Sequence, residues 1–304
     1  METIKNIEFI PPEFNGDKTE KPQKYPQLLL RSTQLAFQLF GPIFPNAAGK
    51  VAYRLFSTPR VRAKHKISDE IIERARLFEV LYGKSLLKAY EWGKGDKTVL
   101  LVHGWESRGT AMRSFVPALV EKGYRVVAFD GPAHGNSDGK RTNLPHFSGA
   151  VKAMIRQLDG VDAIIGHSFG GATSVFALAW DQDAPWLDKL VLVGVPNRME
   201  GVLDNALNTL KAPKAVSKKF KSIIQGKVAV PLKEANVAEA GKRMKLGEAL
   251  IVHDKQDPVV PFSEAQTTFD EWDNANLLVV DGIGHYRLMK NPEVVKRVVD
   301  FVVN

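Results

Sequence analysis

The feature that most restricts this chain is a repeated alternation. Six short runs rich in Val, Leu, Ile and Ala are "TVLLVHGW", "YRVVAFDG", "VDAIIGHS", "LDKLVLVGVP", "ALIVHDKQD" and "ANLLVVDGIGH". Between them lie segments whose apolar residues recur at helical spacing, such as "FSGAVKAMIRQLDG", and "NPEVVKRVVDFVVN" follows the last run. A short apolar run without polar alternation suits a strand covered on both faces. Parallel neighbours need a long crossover, and a helix in each gap supplies it. The alternation therefore predicts an α/β fold with a doubly wound, mostly parallel sheet. Ahead of it, "LFEVLY", a Gly83-Lys84 turn and "SLLKAYEW" read as a hairpin.

The rhythm of the chain changes near residue 78, where the hairpin leads into the alternation, and this divides the chain into 1–77 and 78–304. Residues 1–26 hold Pro11, Pro12, Pro22 and Pro26 among charges and read as an extended arm. A helix is expected over 27–40, closed by Gly41-Pro42. Another is expected from about 68, with Ser68 as its cap and Asp69 and Glu70 at its positive end. Residues 1–77 are thus an arm and helices expected to pack on the core of 78–304. Within 78–304, residues from about 197 to 247 break the alternation with two or three helical stretches, including "GVLDNALNTLK" and "KAVSKKFKSIIQ". Insertions at strand C-terminal ends commonly form lids, so a helical lid is expected there. Val216, Phe220, Ile223 and Ile224 fall on one helical face, with Lys214, Lys218, Lys219 and Lys221 on the rest. One reading is an amphipathic helix lying on the domain. The other is a lid that lines an apolar acyl pocket, its lysines meeting an anionic head group or membrane surface.

Composition narrows the classes. The 304 residues carry 42 Lys and Arg against 34 Asp and Glu, a net charge of +8. A solvated basic face accounts for that balance, and no basic cluster interleaved with aromatics points to nucleic acid. The chain has no cysteine, which excludes disulfides, thiolate metal sites and a Cys nucleophile, and fits a reducing cytoplasmic setting. The start, "METIKNIEFIPPEF", lacks the basic-then-apolar order of a signal peptide. The stretch "LLLRSTQLAFQLFGPIF" is too short and too polar to span a bilayer, and reads as a packed amphipathic helix, with a peripheral membrane helix as the alternative.

The chemistry centres on Gly166-His167-Ser168-Phe169-Gly170, a G-x-S-x-G sequence between an expected strand and an expected helix. Small flanking residues let strand and helix approach, and the Ser side chain then stands above the sheet. A hydroxyl is a poor nucleophile unless a base lies within reach and a carboxylate orients that base. His285 follows the last strand and Asp257 the one before it. Asp254 competes with Asp257 for the acid, and Ser168 has a rival reading as a helix cap. His103, His134 and His167 read as structural, and His65, His146 and His253 have no assigned role. No histidine pair has metal-ligand spacing. "GIGHYR" fails as a dinucleotide fingerprint, and "GKGDKT" as a phosphate loop, on spacing.

From about residue 78 to the C-terminus the chain resembles the α/β-hydrolase fold family. Four motifs agree in order: "HGW", "DGPAHGNS", "GHSFGG", and "DPVVP" with "GIGH". Ala133 stands where the family commonly has Gly. The resemblance implies that Ser168 is the nucleophile, His285 the base and Asp257 its orienting acid. It also implies an oxyanion hole from the backbone N–H groups of Trp105 and Phe169. The expected activity is hydrolysis of a small-molecule carboxylic ester or related acyl bond, without cofactor or metal. The rivals are a thioesterase or membrane-associated lipase, carbon–carbon bond cleavage, and a non-enzymatic ligand-binding or signalling protein that keeps the fold. Substrate identity and oligomeric state are not legible.

Overall fold

The structure is a computed structural model that describes residues 5–11, 27–63, 70–228 and 230–304. The chain forms two compact units. The first comprises Met1–Lys18, Pro59–Asn197 and Val237–Asn304, and the second Thr19–Thr58 and Arg198–Asn236.

The first unit is built on a sheet of nine strands among the described residues: β1 (Ile7–Ile10), β2 (Arg76–Tyr82), β3 (Ser85–Trp92), β4 (Thr98–Val102), β5 (Arg125–Phe129), β6 (Ala163–His167), β7 (Leu187–Val193), β8 (Leu246–Asp254) and β9 (Ala275–Val280). Their order is β1-β9-β8-β7-β6-β4-β5-β3-β2. The hairpin β2–β3 and the pair β3–β5 are antiparallel, and the other pairs are parallel. From β4 the chain steps to β5 on one side, then returns to β6 on the other. That reversal opens a crevice beyond the C-terminal ends of β4 and β6. All five residues of β4 and all five of β6 are buried, as the unbroken apolar runs require. Val99 and Leu101 of β4 share a cluster with Phe115, Leu119 and Val298, while Leu100 and Val102, directed to the opposite face, are equally buried.

The helices of this unit are α3 (Glu70–Glu73), α4 (Val116–Glu121), α5 (Leu144–Gln157), α6 (Phe169–Ala179), α9 (Val237–Gly241), α10 (Phe262–Glu271) and α11 (Pro292–Val303). Three expectations shift here. The expected arm contributes β1, an edge strand in register with β9 from Ile7 opposite Leu277 to Ile10 opposite Val280. The helix expected from about 68 is only the single turn α3, because β2 already begins at Arg76. Its expected cap, Ser68, lies outside the described residues. The gap between the first two apolar runs, "GTAMRSFVPALVEKG", where helical spacing predicts a helix, holds a 3-10 stretch, Gly109–Phe115, followed by the short α4.

The second unit holds α1 (Gln27–Phe40), α2 (Pro45–Phe56), α7 (Met199–Thr209) and α8 (Lys214–Gln225). Phe37, Ala52, Leu203, Leu207, Val216 and Phe220 form its core. The Phe220 ring meets Phe56 edge-to-face at 5.5 Å. At Gly49 a Cβ would lie 2.8 Å from Lys219 Cβ, so α2 and α8 approach closely at a residue without a side chain. An Arg198–Asn236 bridge and the Met199 N–H donated to Ala235 O close the ends of the 198–236 segment.

This grouping differs from the boundaries drawn on the sequence. The helices of residues 1–77 were expected to pack on the sheet domain, and the insertion to run from 197 to 247. Instead α1 and α2 complete one hydrophobic core with α7 and α8, and the chain re-enters the first unit at Val237. Two amphipathic helices cannot bury their apolar faces alone, and the missing half of their core lies some 150 residues earlier in the chain. Val216 and Phe220 are consumed in that core, which leaves them unavailable to line an acyl pocket. Lys221 is likewise held by Glu200 at 2.9 Å and Asp204 at 2.8 Å. Among the described residues no helix is long and apolar enough to cross a membrane.

Candidate active site

Ser168 makes the whole connection between β6 and α6. Its φ is +52° and ψ −123°, a conformation that side chains other than glycine avoid, at a cost of about 1–3 kcal/mol. Its neighbours explain how the turn closes. A Cβ on Gly166 would lie 2.5 Å from Gly171 Cα, and one on Gly170 would lie 2.3 Å from both Val102 O and His103 O. The strained residue is held by its N–H, donated to Val193 O at 2.8 Å. Although Ser168 occupies the cap position of α6, its side chain makes no capping hydrogen bond. The helix-cap reading therefore does not account for the hydroxyl.

Asp257 and His285 meet across the loops that follow β8 and β9. Asp257 Oδ1 accepts the N–H groups of Val259 at 2.7 Å and Val260 at 2.9 Å. Its Oδ2 accepts the His285 Nδ1 proton at 2.6 Å. Both side chains are buried. Burial works to raise the Asp257 pKa, but the hydrogen bond and charge of His285, with the two amides, hold it below the ordinary carboxylate value. With Nδ1 donating, the neutral His285 ring keeps Nε2 as an acceptor.

Two relationships draw the Ser168 turn and His285 to the same end of β7. Val193 accepts the Ser168 N–H, and a Cβ on the next residue, Gly194, would lie 3.1 Å from His285 Nδ1. His167, one residue before Ser168, donates Nε2–H to His285 O at 3.1 Å, with the rings 4.8 Å apart. Trp105 and Phe169 also come together: their rings meet edge-to-face at 5.4 Å. A Cβ on Gly104 would lie 3.2 Å from Ser168 Cβ, so the main chain entering Trp105 runs beside the serine turn.

The remaining histidines are fasteners. His103 donates Nδ1–H to Gly104 O at 2.7 Å and accepts the Gly131 N–H at 2.9 Å on Nε2. His134 donates Nδ1–H to Pro132 O and accepts the Glu106 N–H, both at 3.0 Å. Burial pushes both pKa values down, that of His134 to about 3, so both rings are neutral. They tie the loop after β4 to the loop after β5, where Ala133 adopts φ +65°, a conformation that favours glycine. His146 Nδ1 lies 3.2 Å from Thr142 Oγ1, and His65 is outside the described residues.

Two contributions were not legible in the sequence. Asp254, weighed there as a rival acid, is buried and accepts the N–H groups of Gln256 and Gly282 at 2.8 Å and that of Gly284. It braces the loop that carries His285. The signal for this is its place at the last residue of β8, opposite Val280 at the end of β9. His253, one residue earlier, donates Nε2–H to Val260 O at 2.9 Å and lies 3.8 Å from Asp257 Oδ2. Among the described residues no group of three His, Cys, Asp or Glu is placed to hold a metal ion.

Residues 99–298 match the model of the alpha/beta hydrolase family, a span that holds every residue described above as part of the site. A curated relative, the 2-hydroxy-6-oxononadienedioate/2-hydroxy-6-oxononatrienedioate hydrolase of Escherichia coli K12, is 37% identical over 123 residues. That match covers 37% of this chain, and the chain spans 41% of the relative's length. Among solved structures, an esterase from Pyrococcus furiosus superposes with a TM-score of 0.62 at 21% identity, covering 81% of this chain and 96% of that one. A meta-cleavage product hydrolase from Pseudomonas fluorescens gives a TM-score of 0.54 at 21% identity, covering 74% and 96%. The likeness to these two structures is one of fold. The sheet order, the strained serine turn and the matched span lead to one assignment: the chain belongs to the alpha/beta hydrolase family.

Proposed function

We propose that the protein is a serine hydrolase that cleaves a carboxylic ester through Ser168, His285 and Asp257. The observation that carries this reading is the buried 2.6 Å hydrogen bond between His285 and Asp257, beside a strained serine whose hydroxyl does not cap its helix. In the proposed reaction His285 Nε2 takes the Ser168 proton as Oγ attacks the carbonyl carbon. Negative charge develops on the carbonyl oxygen, and the backbone N–H groups of Trp105 and Phe169 receive it. The bond to the leaving alkoxide then breaks, and His285 returns the proton to it. Water, deprotonated by His285, attacks the acyl-enzyme, and the acid leaves as Ser168 regains its proton. Asp257 holds the ring in its Nδ1–H tautomer and stabilises the cation that forms.

A second reading is hydrolysis of a carbon–carbon bond in an oxo acid, favoured by the 37% identity with the Escherichia coli relative. Labelling with a fluorophosphonate probe, mapped to a peptide in wild type and Ser168→Ala, tests the nucleophile. Modification of Ser168 that is absent from the variant is expected. A well-folded wild type that resists the probe would move the reading to a ligand-binding protein. Turnover of p-nitrophenyl esters against a 2-hydroxy-6-oxo dienoic acid then separates the two hydrolytic readings.

A further inference from the structure

In the second unit, α1 faces two ways. Phe37 enters the core with Ala52, Val216 and Phe220. The opposite ridge carries Leu28, Leu35 and Leu39 at i, i+7 and i+11, and Phe40, Ile43 and Phe44 extend the apolar surface past the end of the helix. These six are 55% to 82% exposed. Exposed apolar side chains gathered in this way from Leu35 to Phe44, with Leu28 two turns back beyond Arg31 and Ser32, mark an interaction site. With 14 residues, α1 is too short to span a bilayer but suited to lie along one.

The charge of the chain is concentrated on the same unit. Its 79 residues carry thirteen Lys and Arg against four Asp and Glu, a net charge of +9. The other 225 residues carry 29 against 30, a net charge of −1. Lys50, Lys211, Lys214, Lys218 and Lys219 are exposed. We propose that this helical unit docks on an anionic lipid surface. Its basic side chains supply the attraction, and Leu28, Leu35, Leu39 and the Phe40–Phe44 corner enter the headgroup boundary. Anionic lipid answers both features at once. A second copy would bring +9 against +9, and nucleic acid would leave the leucines in water. The proposal does not depend on the catalytic reading, since none of its residues lies in the first unit.

Sedimentation of the full-length protein with vesicles tests it. Phosphatidylglycerol–phosphatidylcholine vesicles are expected to bind at least ~10-fold more tightly than pure phosphatidylcholine, with the preference falling at high salt. Lys218→Glu/Lys219→Glu is expected to weaken binding to the anionic vesicles by roughly 25-fold or more, at roughly 5-fold for each basic residue lost. Leu35→Glu/Leu39→Glu is expected to abolish it, with thermal unfolding by circular dichroism unchanged for both variants. Three results would overturn the proposal: no binding to anionic vesicles, equal binding to neutral ones, or a dimer in sedimentation equilibrium that Leu35→Glu/Leu39→Glu dissolves.

Discussion

Asp257 Oδ2 lies 2.6 Å from His285 Nδ1, and this hydrogen bond joins the loops that follow two neighbouring strands, β8 and β9. Its other oxygen is committed to the amides of Val259 and Val260. An Asn at 257 would therefore keep its carbonyl oxygen toward those amides and turn its NH₂ toward His285. The ring would be forced into the Nε2–H tautomer, which cannot accept a proton from Ser168. Asp257→Asn is expected to lower kcat on a p-nitrophenyl ester by roughly 10⁴-fold with the fold intact. Steady-state kinetics beside a circular dichroism spectrum checks this, and a loss of only a few-fold would dismiss Asp257 as the orienting acid.

The φ of +52° at Ser168 makes a prediction about stability that is separate from chemistry. Ser168→Ala and Ser168→Gly both remove the hydroxyl, but only glycine relaxes the backbone. After allowance for the greater freedom of glycine in the unfolded chain, Ser168→Gly is expected to be about 1 kcal/mol more stable than Ser168→Ala. Urea denaturation of the two variants decides the matter, and equal midpoints would mean that no strain is stored there.

Asp254 accepts three backbone N–H groups while buried, so its removal orphans three donors. Asp254→Ala is expected to cost about 3 kcal/mol or more and to lower activity through the displaced His285 loop. Asp254→Asn keeps an oxygen for part of that work and is expected to fall between the two. Denaturation midpoints and kcat should move together across the pair.

Four buried histidines set the acid limit of the fold. Burial holds the pKa of His103 and His253 below the ordinary value, and those of His134 and His167 at about 3. Unfolded histidine binds its proton near 6.5, so below that pH the unfolded chain takes up protons that the native rings refuse. The stability that depends on neutral rings is complete above about pH 6.5; for His134 and His167 it is lost as pH falls from there toward their folded value of about 3, by about 1.4 kcal/mol per pH unit for each, and His103 and His253 act in the same direction. The depressed Asp257 carboxyl acts in a lower window, its contribution present above about pH 4 and lost as pH falls through its folded value. Urea denaturation is expected to show a drop of about 4 kcal/mol or more between pH 7 and pH 5, about 2 kcal/mol from each of His134 and His167. His134→Gln should reduce that slope, and a flat profile would mean the rings are not held neutral.

Much of the fold was legible because it rests on local pattern. Unbroken apolar runs such as Leu100–Val102 and Ile164–Ile165 are buried on both faces, and that burial dictates both their composition and their parallel pairing. Gly166 and Gly170 announced the tight strand-to-helix turn because no Cβ fits where they sit. The structure likewise joins Asp257 to His285, two residues picked from strand ends and motif order.

What stayed hidden depends on partners far apart in the chain. That α1 and α2 share a core with α7 and α8 could not be read from either segment. Each pattern asks only for some apolar surface, and which surface answers is settled when Phe37, Ala52, Val216 and Phe220 meet. The role of Asp254 was obscure for a related reason. A carboxylate next to a candidate acid reads as a rival until register places it opposite Val280 and shows the amides it must serve. Sequence by itself determined the alternation, the tight turn and the residue types available for chemistry, because periodicity and backbone sterics act over a few residues. Only the tertiary structure decided which side chains brace which loops and how the chain divides into units, because burial and hydrogen-bond satisfaction are properties of neighbours in space.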